Sequence, residues 1–356
     1  MTSETWLLIS DLHLAPSGPD PRGVATALPL FVEQVVSALA ESTAAGAVHL
    51  VLLGDSFDLD QALPAPADRA DGADTPLQEI ARRFEGVFSA FRGALDEGAW
   101  LHVVCGNHDG DLARPLVRGR LSSLLDRPEG TGSRLQVHPW VLYRPGLLYA
   151  EHGHQHHALN RSPTVLAQRH GAAARPDARS PLAALVALRE MEVGGPRVAA
   201  GVGEAIRASW QAERVADEAP YQELLEEAAA AAGLPGHVMR AVHRTSAFSP
   251  ASACIGAAHR MIGRKLGRGS HDDYLRGAVR RIDRVLVDAG CAPACYVFGH
   301  THRAALEPLD STGRVYANTG TWSPHVRGGE TATGFPYVKV TSNANGKNVE
   351  LKRWQP

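Results

Sequence analysis

Five short motifs in this chain of 356 residues contain side chains that can bind metal ions. In chain order they are SDLHL with Asp11 and His13, GDSFD with Asp55 and Asp58, GNHD with Asn107, His108 and Asp109, EHGHQHH with His152, His154, His156 and His157, and GHTH with His300 and His302. Carboxylate, amide and imidazole ligands together suit Mn, Fe, Zn or Mg, and the absence of thiolates from the set argues against a structural zinc site. The residue types therefore predict a metal centre that does chemistry.

A centre with two metal ions needs a shared anionic ligand. Two cations held close together repel each other, and a carboxylate reduces that repulsion by giving one oxygen to each. Asp55 is the best candidate because it follows an apolar run and Gly54, whose missing side chain lets a metal or a phosphate approach the backbone. His13 and His302 each lie two residues beyond a companion ligand, a spacing that requires the backbone to turn out of its strand.

Each motif alone also has an ordinary interpretation. Asp11 and His13 could belong to a common loop, the GNHD motif could be a turn with Asp109 as an N-cap, and the histidines of 152–157 could form a solvated loop. The two imidazoles of GHTH, which follow the apolar run 296–298, have no evident role in packing. Five such motifs in succession favour a metal centre over five unrelated loops.

The motifs follow segments with the pattern of β-strands. Short apolar runs alternate with segments of helical periodicity, which predicts an α/β sheet protein. The predicted strands span 6–10, 50–53, 101–105 and 147–150, and the predicted helices span 27–45 and 77–97. Open α/β sheets place their sites beyond the carboxyl ends of their strands, where these motifs lie. Residues 62–75, rich in Pro, Asp, Ala and Gly, are predicted to form a surface loop.

Residues 160–289 have a different composition, dominated by Ala, Arg, Glu and Leu. Helices are predicted there over 182–192, 202–216, 221–232 and 274–289, and strands resume at 295–298, 314–317, 337–341 and 348–353. We therefore predict a core of residues 1–159 and 290–356 that is interrupted by a helical insertion. Because the insertion begins after His152 and ends before His300, we expect it to form a cap over the site.

Taken together, SDLHL, GDSFD, GNHD, HGH and GHTH resemble the calcineurin-like metallophosphoesterase superfamily over residues 6–154 and 296–322. The resemblance implies a β-sandwich flanked by helices, with α/β/β/α layers and two metals at the strand ends. It also implies the ligands of each metal, which are Asp11, His13, Asp55 and His302 for one and Asp55, Asn107, His152 and His300 for the other. His108 is then the catalytic histidine, and Asp109 is the carboxylate that orients it.

Within the superfamily, the GDxFD form, the HG element and GHTHR with Arg303 are similar to the branch of UDP-2,3-diacylglucosamine pyrophosphohydrolases. This likeness implies a substrate that is a phosphorylated small molecule or is linked to a lipid. The chain departs from that branch in having HGH where HGD is usual and in the length of its insertion. The GDxVDRG and GNHE pattern of Ser/Thr protein phosphatases is absent.

The predicted reaction is hydrolysis of a phosphoester or pyrophosphate bond by a metal-bound hydroxide, assisted by His108. Two divalent ions are expected, with Mn favoured over Fe, Zn or Mg. Asp58 is predicted to orient a metal ligand, and Arg303 and His154 to contact the substrate. Two alternatives stay open: a cyclic-nucleotide phosphodiesterase or nuclease, and a scaffold that uses this fold without catalysis.

Composition excludes several other classes of protein. A net charge of −2 argues against general nucleic-acid binding. Four cysteines without a CxxC pair indicate reduced thiols and a cytoplasmic protein. Since no run of 18 apolar residues is present and the apolar start leads directly into Asp11, we expect neither a transmembrane segment nor a signal peptide. Arginines in the insertion would still allow peripheral contact with a membrane.

Overall fold

The computed structural model describes residues 3–18, 23–42, 46–59, 76–127, 133–157, 160–161, 166, 219–246, 273–309, 311–323 and 334–356. The predicted surface loop at 62–75 and the predicted helices at 182–192 and 202–216 lie outside these residues. In the described residues, strands and helices alternate through the first half of the chain, and the last part is mostly strand.

One sheet has six strands. They are β1 (Glu4–Ile9), β2 (Ala47–Leu53), β3 (Trp100–Val104), β4 (Leu135–His138), β10 (Phe335–Asn343) and β11 (Gly346–Trp354), in the order β11-β10-β1-β2-β3-β4. β1 to β4 run parallel, whereas β10 pairs antiparallel with both β1 and β11. The parallel strands all end at the same edge of the sheet, so the loops that follow β1, β2 and β3 meet there.

The other sheet has five strands. They are β5 (Val141–Arg144), β6 (Leu148–Glu151), β7 (Cys295–Phe298), β8 (Ala305–Pro308) and β9 (Val315–Asn318), in the order β5-β6-β7-β9-β8. β6, β7 and β9 run parallel, and β8 is antiparallel to β9. The predicted strand at 295–298 is confirmed, but β4, β5 and β8 were not predicted. Each has only four residues and lies at a sheet edge, where the apolar pattern is weak.

The helices of this part of the chain, apart from α5, follow the predicted segments with adjusted ends. They are α1 (Val24–Phe31), a π-helical segment (Val32–Ser37), α2 (Ala38–Glu41), α3 (Pro76–Arg83), α4 (Glu85–Asp96) and α5 (Pro115–Leu124). The predicted helix at 77–97 is interrupted at Phe84, whose backbone leaves the helical region at φ −114 and ψ 40. α5 was not predicted.

The six-stranded sheet has a buried core on each face. Successive side chains of a strand point to opposite faces. Leu7 and Ile9 of β1 therefore pack with the helices, and Trp6 and Leu8 pack with residues of the second sheet such as Val297. Two mixed sheets thus pack face to face and are flanked by helices, which confirms the predicted α/β/β/α architecture.

The chain divides into two compact units. One comprises Met1–Leu142, Leu147–His152 and Pro293–Pro356, and the other comprises Tyr143–Gly146 and Gly153–Ala292. The second unit contains α6 (Ala219–Ala232), α7 (Gly236–Thr245) and α8 (Asp273–Asp288), which confirms the helices predicted at 221–232 and 274–289. On α8, helical spacing brings the apolar side chains of Leu275, Val279, Ile282 and Leu286 to one buried face.

The segment Val24–Glu41 is more apolar than the sequence analysis expected of any 18-residue stretch. Its 18 residues have a mean hydropathy of 1.4, so by length and composition this helical segment could cross a membrane. Val24, Leu28 and Phe31, however, lie in the same buried core as β1. Burial of one face against a sheet is the pattern of a core helix, so packing rather than hydropathy identifies the segment as part of the fold.

Candidate metal centre

The predicted ligands lie just beyond the carboxyl ends of five strands. Asp11 and His13 follow β1, Asp55 follows β2, Asn107 follows β3, His152 follows β6, and His300 and His302 follow β7. The first three strands belong to the six-stranded sheet and the last two to the five-stranded sheet. The face-to-face packing of the two sheets brings these loops together, and all seven side chains lie in the first compact unit.

The backbone turns sharply at most of these ligands. Five of the six non-glycine residues with positive φ in the described chain belong to the centre: Asp11 (54°), His13 (51°), Asp55 (49°), His300 (66°) and His302 (61°). Each such residue costs about 1 kcal/mol and persists only where its surroundings hold it. The amides of Asp11 and His13 donate to the carbonyls of Gly54 (3.1 Å) and Asp55 (3.0 Å). The DxH and HxH spacings thus come from turns out of the strands, as predicted.

Glycine precedes the ligand in three motifs because a side chain there would collide with the centre. A Cβ at Gly54 would lie 2.5 Å from the ring of His152, and one at Gly299 would lie 2.6 Å from Ser10 Oγ. A Cβ at Gly106 would overlap both Oδ1 and the backbone nitrogen of Asp55. The GD, GN and GH pairs are therefore a packing requirement of the ligands themselves.

Asp11, His13 and His302 form one group that can hold a metal ion. Nε2 of His302 lies 3.0 Å from Asp11 Oδ1 and 3.4 Å from Nε2 of His13. Asp58 Oδ1 lies 2.8 Å from Nδ1 of His13. Because that nitrogen is occupied by a carboxylate, Nε2 is the nitrogen of His13 that is available to a metal, and the orienting role of Asp58 stays a prediction.

Asp55, His152 and His300 form a second group of the same kind. Nε2 of His152 lies 3.1 Å from Asp55 Oδ2 and 3.3 Å from Nδ1 of His300. Nδ1 of His152 donates to the carbonyl of Leu53 at 2.9 Å. This hydrogen bond fixes the tautomer of His152 so that Nε2 is the nitrogen available to a metal.

Two buried oxygens of the predicted ligands have no hydrogen bond of acceptable geometry: Asp11 Oδ1 and Asn107 Oδ1. An unsatisfied buried polar atom is costly, and an absent ion is one of the common explanations for it. Both belong to the predicted ligand set. Together with the two Asp/His groups, they fit a centre of two divalent cations bound by oxygen and nitrogen.

The charges of the centre favour cations. Burial alone would raise the pKa of Asp55, but the charges of His152 and His108 hold it well below the usual value. Asp11 behaves similarly, because His302 and His152 outweigh burial and lower its pKa. Burial would lower the pKa of His152, yet Asp55 and Asp11 raise it to about 9. The carboxylates therefore stay ionised and attract positive charge into a buried site.

His108 and Asp109 lie beside the two groups. The ring of His108 is 5.2 Å from that of His13, and its backbone N–H donates to Asp55 Oδ1 at 2.9 Å. Asp109 accepts hydrogen bonds from the amides of Gly106 (2.6 Å) and Ser56 (2.8 Å). Burial and the charge of Asp55 raise the pKa of Asp109 to about 6. Asp109 thus joins the loops after β2 and β3, and its role in orienting His108 stays a prediction.

The two predicted substrate contacts lie in different units. Arg303 is exposed in the first unit, immediately after His302. His154 belongs to the second unit, where it is buried with its Nε2 3.0 Å from Nε2 of Gln155. Both assignments stay predictions.

The sequence analysis missed two buried hydroxyls of the centre, those of Ser10 and Thr319. Ser10 Oγ lies 2.6 Å from Thr319 Oγ1 and is also hydrogen-bonded to Asp11 Oδ2. The only sequence signal for Ser10 is its place directly before a ligand at a strand end. Thr319 gives no signal of its own, because its contact with Ser10 joins residues far apart in the chain.

No protein-family model and no curated protein matches the sequence. Solved structures that match include a single mutant of Vps29 from Entamoeba histolytica (10% identity, 99% of both chains, TM-score 0.27). They also include a cold-active protein-tyrosine phosphatase from a Shewanella species (12% identity, 99% of this chain and 80% of that one, TM-score 0.31). A third is PptH, a phosphopantetheinyl hydrolase from Mycobacterium tuberculosis (14% identity, 90% of both chains, TM-score 0.29). Likenesses of this extent define neither a branch nor an activity.

Proposed function

We propose that this protein is a hydrolase of phosphoester or pyrophosphate bonds that depends on two divalent metal ions. The observation that carries the proposal is the pair of Asp/His groups at the strand ends, together with the unsatisfied buried oxygens of Asp11 and Asn107. Asp55 would be the shared ligand, since one of its oxygens faces His152 and its charge also acts on His13 of the other group. Two bound cations would supply Lewis acidity that activates water and offsets charge on the phosphoryl group.

The chain's own residues would position and assist the reaction. Asp58 and the Leu53 carbonyl hold the rings of His13 and His152 so that each presents Nε2. His108, beside His13, would donate a proton to the leaving oxygen. General acid catalysis of this kind contributes about 10²- to 10⁴-fold to the rate.

The proposed activity is tested by hydrolysis of bis(p-nitrophenyl) phosphate after removal of metals and reloading with Mn, Fe, Zn or Mg. We expect activity only in the reloaded protein and most in Mn. A folded protein without activity in any metal would favour a scaffold instead. Parallel assays with cyclic nucleotides, single-stranded DNA and nucleoside-diphosphate conjugates separate the phosphodiesterase and nuclease alternatives from the pyrophosphohydrolase of the resembled branch.

For the substrate, we propose an amphiphilic or bulky phosphorylated molecule of the cytoplasm, held under a cap formed by residues 160–289. The support is the position of that insertion in the sequence, between His152 and His300. Binding energy from the non-reacting part of a substrate can be used for specificity in this way. A short linker in place of the insertion should spare hydrolysis of the small nitrophenyl ester and remove discrimination among larger substrates. An unchanged profile in a folded protein would refute the cap.

Arg303 is proposed to bind a substrate phosphate, and His154 is proposed to contact the substrate. The guanidinium of an exposed arginine next to a metal ligand can hold two phosphate oxygens at once. Arg303→Gln should raise KM more than it lowers kcat. The matched control is Arg353→Gln, which removes another exposed arginine from the same unit. Equal kinetics in the two variants would remove Arg303 from the site.

A further inference from the structure

The two carboxylate oxygens of Asp11 have different surroundings. Oδ2 is hydrogen-bonded to Ser10 Oγ and accepts the backbone N–H of His300 at 3.2 Å. Oδ1 has no hydrogen bond of acceptable geometry and lies 3.0 Å from Nε2 of His302. All of Asp11 is inaccessible to solvent. The carboxylate is therefore held by one oxygen while the other is directed at the first Asp/His group.

The hydroxyls of Ser10 and Thr319 form a buried chain that ends on Oδ2. Ser10 Oγ lies 2.6 Å from Thr319 Oγ1, and both residues are fully buried. A hydroxyl has one proton, and a carboxylate is the strongest acceptor that Ser10 meets. Ser10 therefore donates to Asp11. Thr319 Oγ1 lies 3.2 Å from the carbonyl of Phe298 but only 2.6 Å from Ser10 Oγ, so it donates to Ser10 and supports it.

The segment that contains Thr319 also forms hydrogen bonds with the backbone at Asp11 and at Gly299, the residue before His300. Thr321 Oγ1 donates to the carbonyl of Asp11 at 2.9 Å, and Asn318 Nδ2 donates to the carbonyl of Gly299 at 2.7 Å. The absence of a side chain at Gly299 leaves the room that Ser10 Oγ and Asp11 Oδ2 occupy. The side chain of Asp11 therefore has little freedom to rotate. Because the hydroxyls hold Oδ2, Oδ1 is the oxygen that faces His302.

We propose that Ser10 and Thr319 are positioning residues that make Asp11 a ligand through Oδ1 alone. This inference rests on the proposed two-metal function and goes beyond it by predicting unequal effects on the two ions. In the second group the carboxylate is held differently: Asp55 Oδ1 accepts the backbone N–H of His108, and Oδ2 faces His152. Loss of the hydroxyls should weaken the ion at Asp11, His13 and His302 and spare the ion at Asp55, His152 and His300.

The experiment is a calorimetric titration of the metal-free protein with Mn²⁺, supported by electron paramagnetic resonance of the bound ion. Wild type should bind two ions. Thr319→Val keeps the side-chain shape and removes the hydroxyl. We expect this variant to bind one ion about 10- to 100-fold more weakly, which is the usual effect of removing a residue that supports a metal ligand through hydrogen bonds. Thr319→Ser restores the hydroxyl and should recover most of that affinity. Ser10→Ala should lower the same affinity at least as much.

The outcomes separate this proposal from the proposed function. Two Mn²⁺ ions of wild-type affinity in folded Ser10→Ala and Thr319→Val proteins would overturn the positioning role and leave the metal centre standing. Equal weakening of both ions, or no recovery in Thr319→Ser, would overturn it too, because a general loss of structure would then explain the result. If wild type binds none of Mn²⁺, Fe²⁺, Zn²⁺ and Mg²⁺, the proposed function fails and this inference fails with it. If Ser10→Ala does not fold, the comparison of Thr319→Val with Thr319→Ser tests the proposal.

Discussion

Two groups of histidines in the first compact unit have pKa values shifted in opposite directions. One lies beyond the strand ends, where Nε2 of His152 is 3.1 Å from Asp55 Oδ2. The other lies within the six-stranded sheet and crosses β2, β3 and β4. There Nδ1 of His49 lies 3.0 Å from Nε2 of His102, whose Nδ1 lies 3.1 Å from Nε2 of His138. The first group faces carboxylates, whereas the second is a chain of imidazoles hydrogen-bonded to one another.

The neighbours of each group decide the charge that it can hold. Burial lowers the pKa of His138 to about 4, and burial together with the charges of His138 and His49 holds the pKa of His102 well below the usual value. The indole of Trp6 stacks on His49 at 3.8 Å between ring centroids. At the metal centre, by contrast, carboxylates overcome burial and raise the pKa of His152 to about 9. The comparison shows that these buried histidines hold a positive charge where an anion lies beside them and stay neutral where none does.

The strongest way to break the comparison is to remove the central carboxylate. Asp55→Asn keeps the shape of the side chain and removes its charge, so metal-dependent hydrolysis should be abolished and bound Mn²⁺ should be lost. Atomic emission gives the metal content, and the nitrophenyl diester gives the rate. Asp126→Asn is the matched control, because Asp126 also has positive φ (52°) but is exposed and outside the centre. Asp55→Asn with most of its activity would refute the shared-ligand role.

His108 tests whether every imidazole near the carboxylates is a ligand. His108→Asn should lower turnover by about 10²- to 10⁴-fold and leave the Mn²⁺ content unchanged, as for a residue that acts on the leaving group. Steady-state kinetics and metal analysis on the same preparation check both points. Loss of metal in this variant would make His108 a ligand instead.

A glycine of the centre provides a test that changes no charge. A Cβ at Gly106 would overlap Asp55 Oδ1, so Gly106→Ala should displace the carboxylate and weaken Mn²⁺ binding by about 10- to 100-fold. Gly93→Ala is the control, since a Cβ on Gly93 of α4 would meet no atom within 4 Å beyond the backbone of its own helix. Unchanged Mn²⁺ affinity in Gly106→Ala would show that the loop after β3 can move without affecting the ligand.

The histidine chain within the sheet should have its effect on stability rather than on metal binding. Because the folded pKa of His138 is about 4 and the unfolded value is about 6.5, the unfolded state takes up more protons as the pH falls between these values. The stabilisation is complete above pH ~6.5, and about 2 kcal/mol of it should be lost by pH ~5.

Urea unfolding of wild type and His138→Gln at pH 7 and pH 5 measures this loss. Glutamine does not titrate, so the free energy of unfolding of the variant should fall less, by about 2 kcal/mol, over the same interval. An equal fall in both proteins would mean that His138 does not carry the effect. Metal-free protein is used in both titrations so that the centre contributes equally.

Much of the fold could be predicted from apolar patterning. β1, β2 and β3 lie within a few residues of the predicted strands because each is an apolar run bounded by turn residues. β4, β5 and β8 were missed because an edge strand of four residues has little pattern to recognise. The break in the helix at Phe84 was also not visible, since the sequence continues with helical periodicity on both sides.

The types of the predicted ligands were determined by the sequence alone, because each of these residues follows its strand directly and parallel strands bring their carboxyl ends together. Only the tertiary structure decided which of their atoms lie close together. Ser10, which holds Asp11 Oδ2, contacts Thr319 from 309 positions away, and the low pKa of His102 depends on burial and on rings from two other strands. Such contacts produce no local sequence pattern, because they form only when distant strands pack and water is excluded from between them.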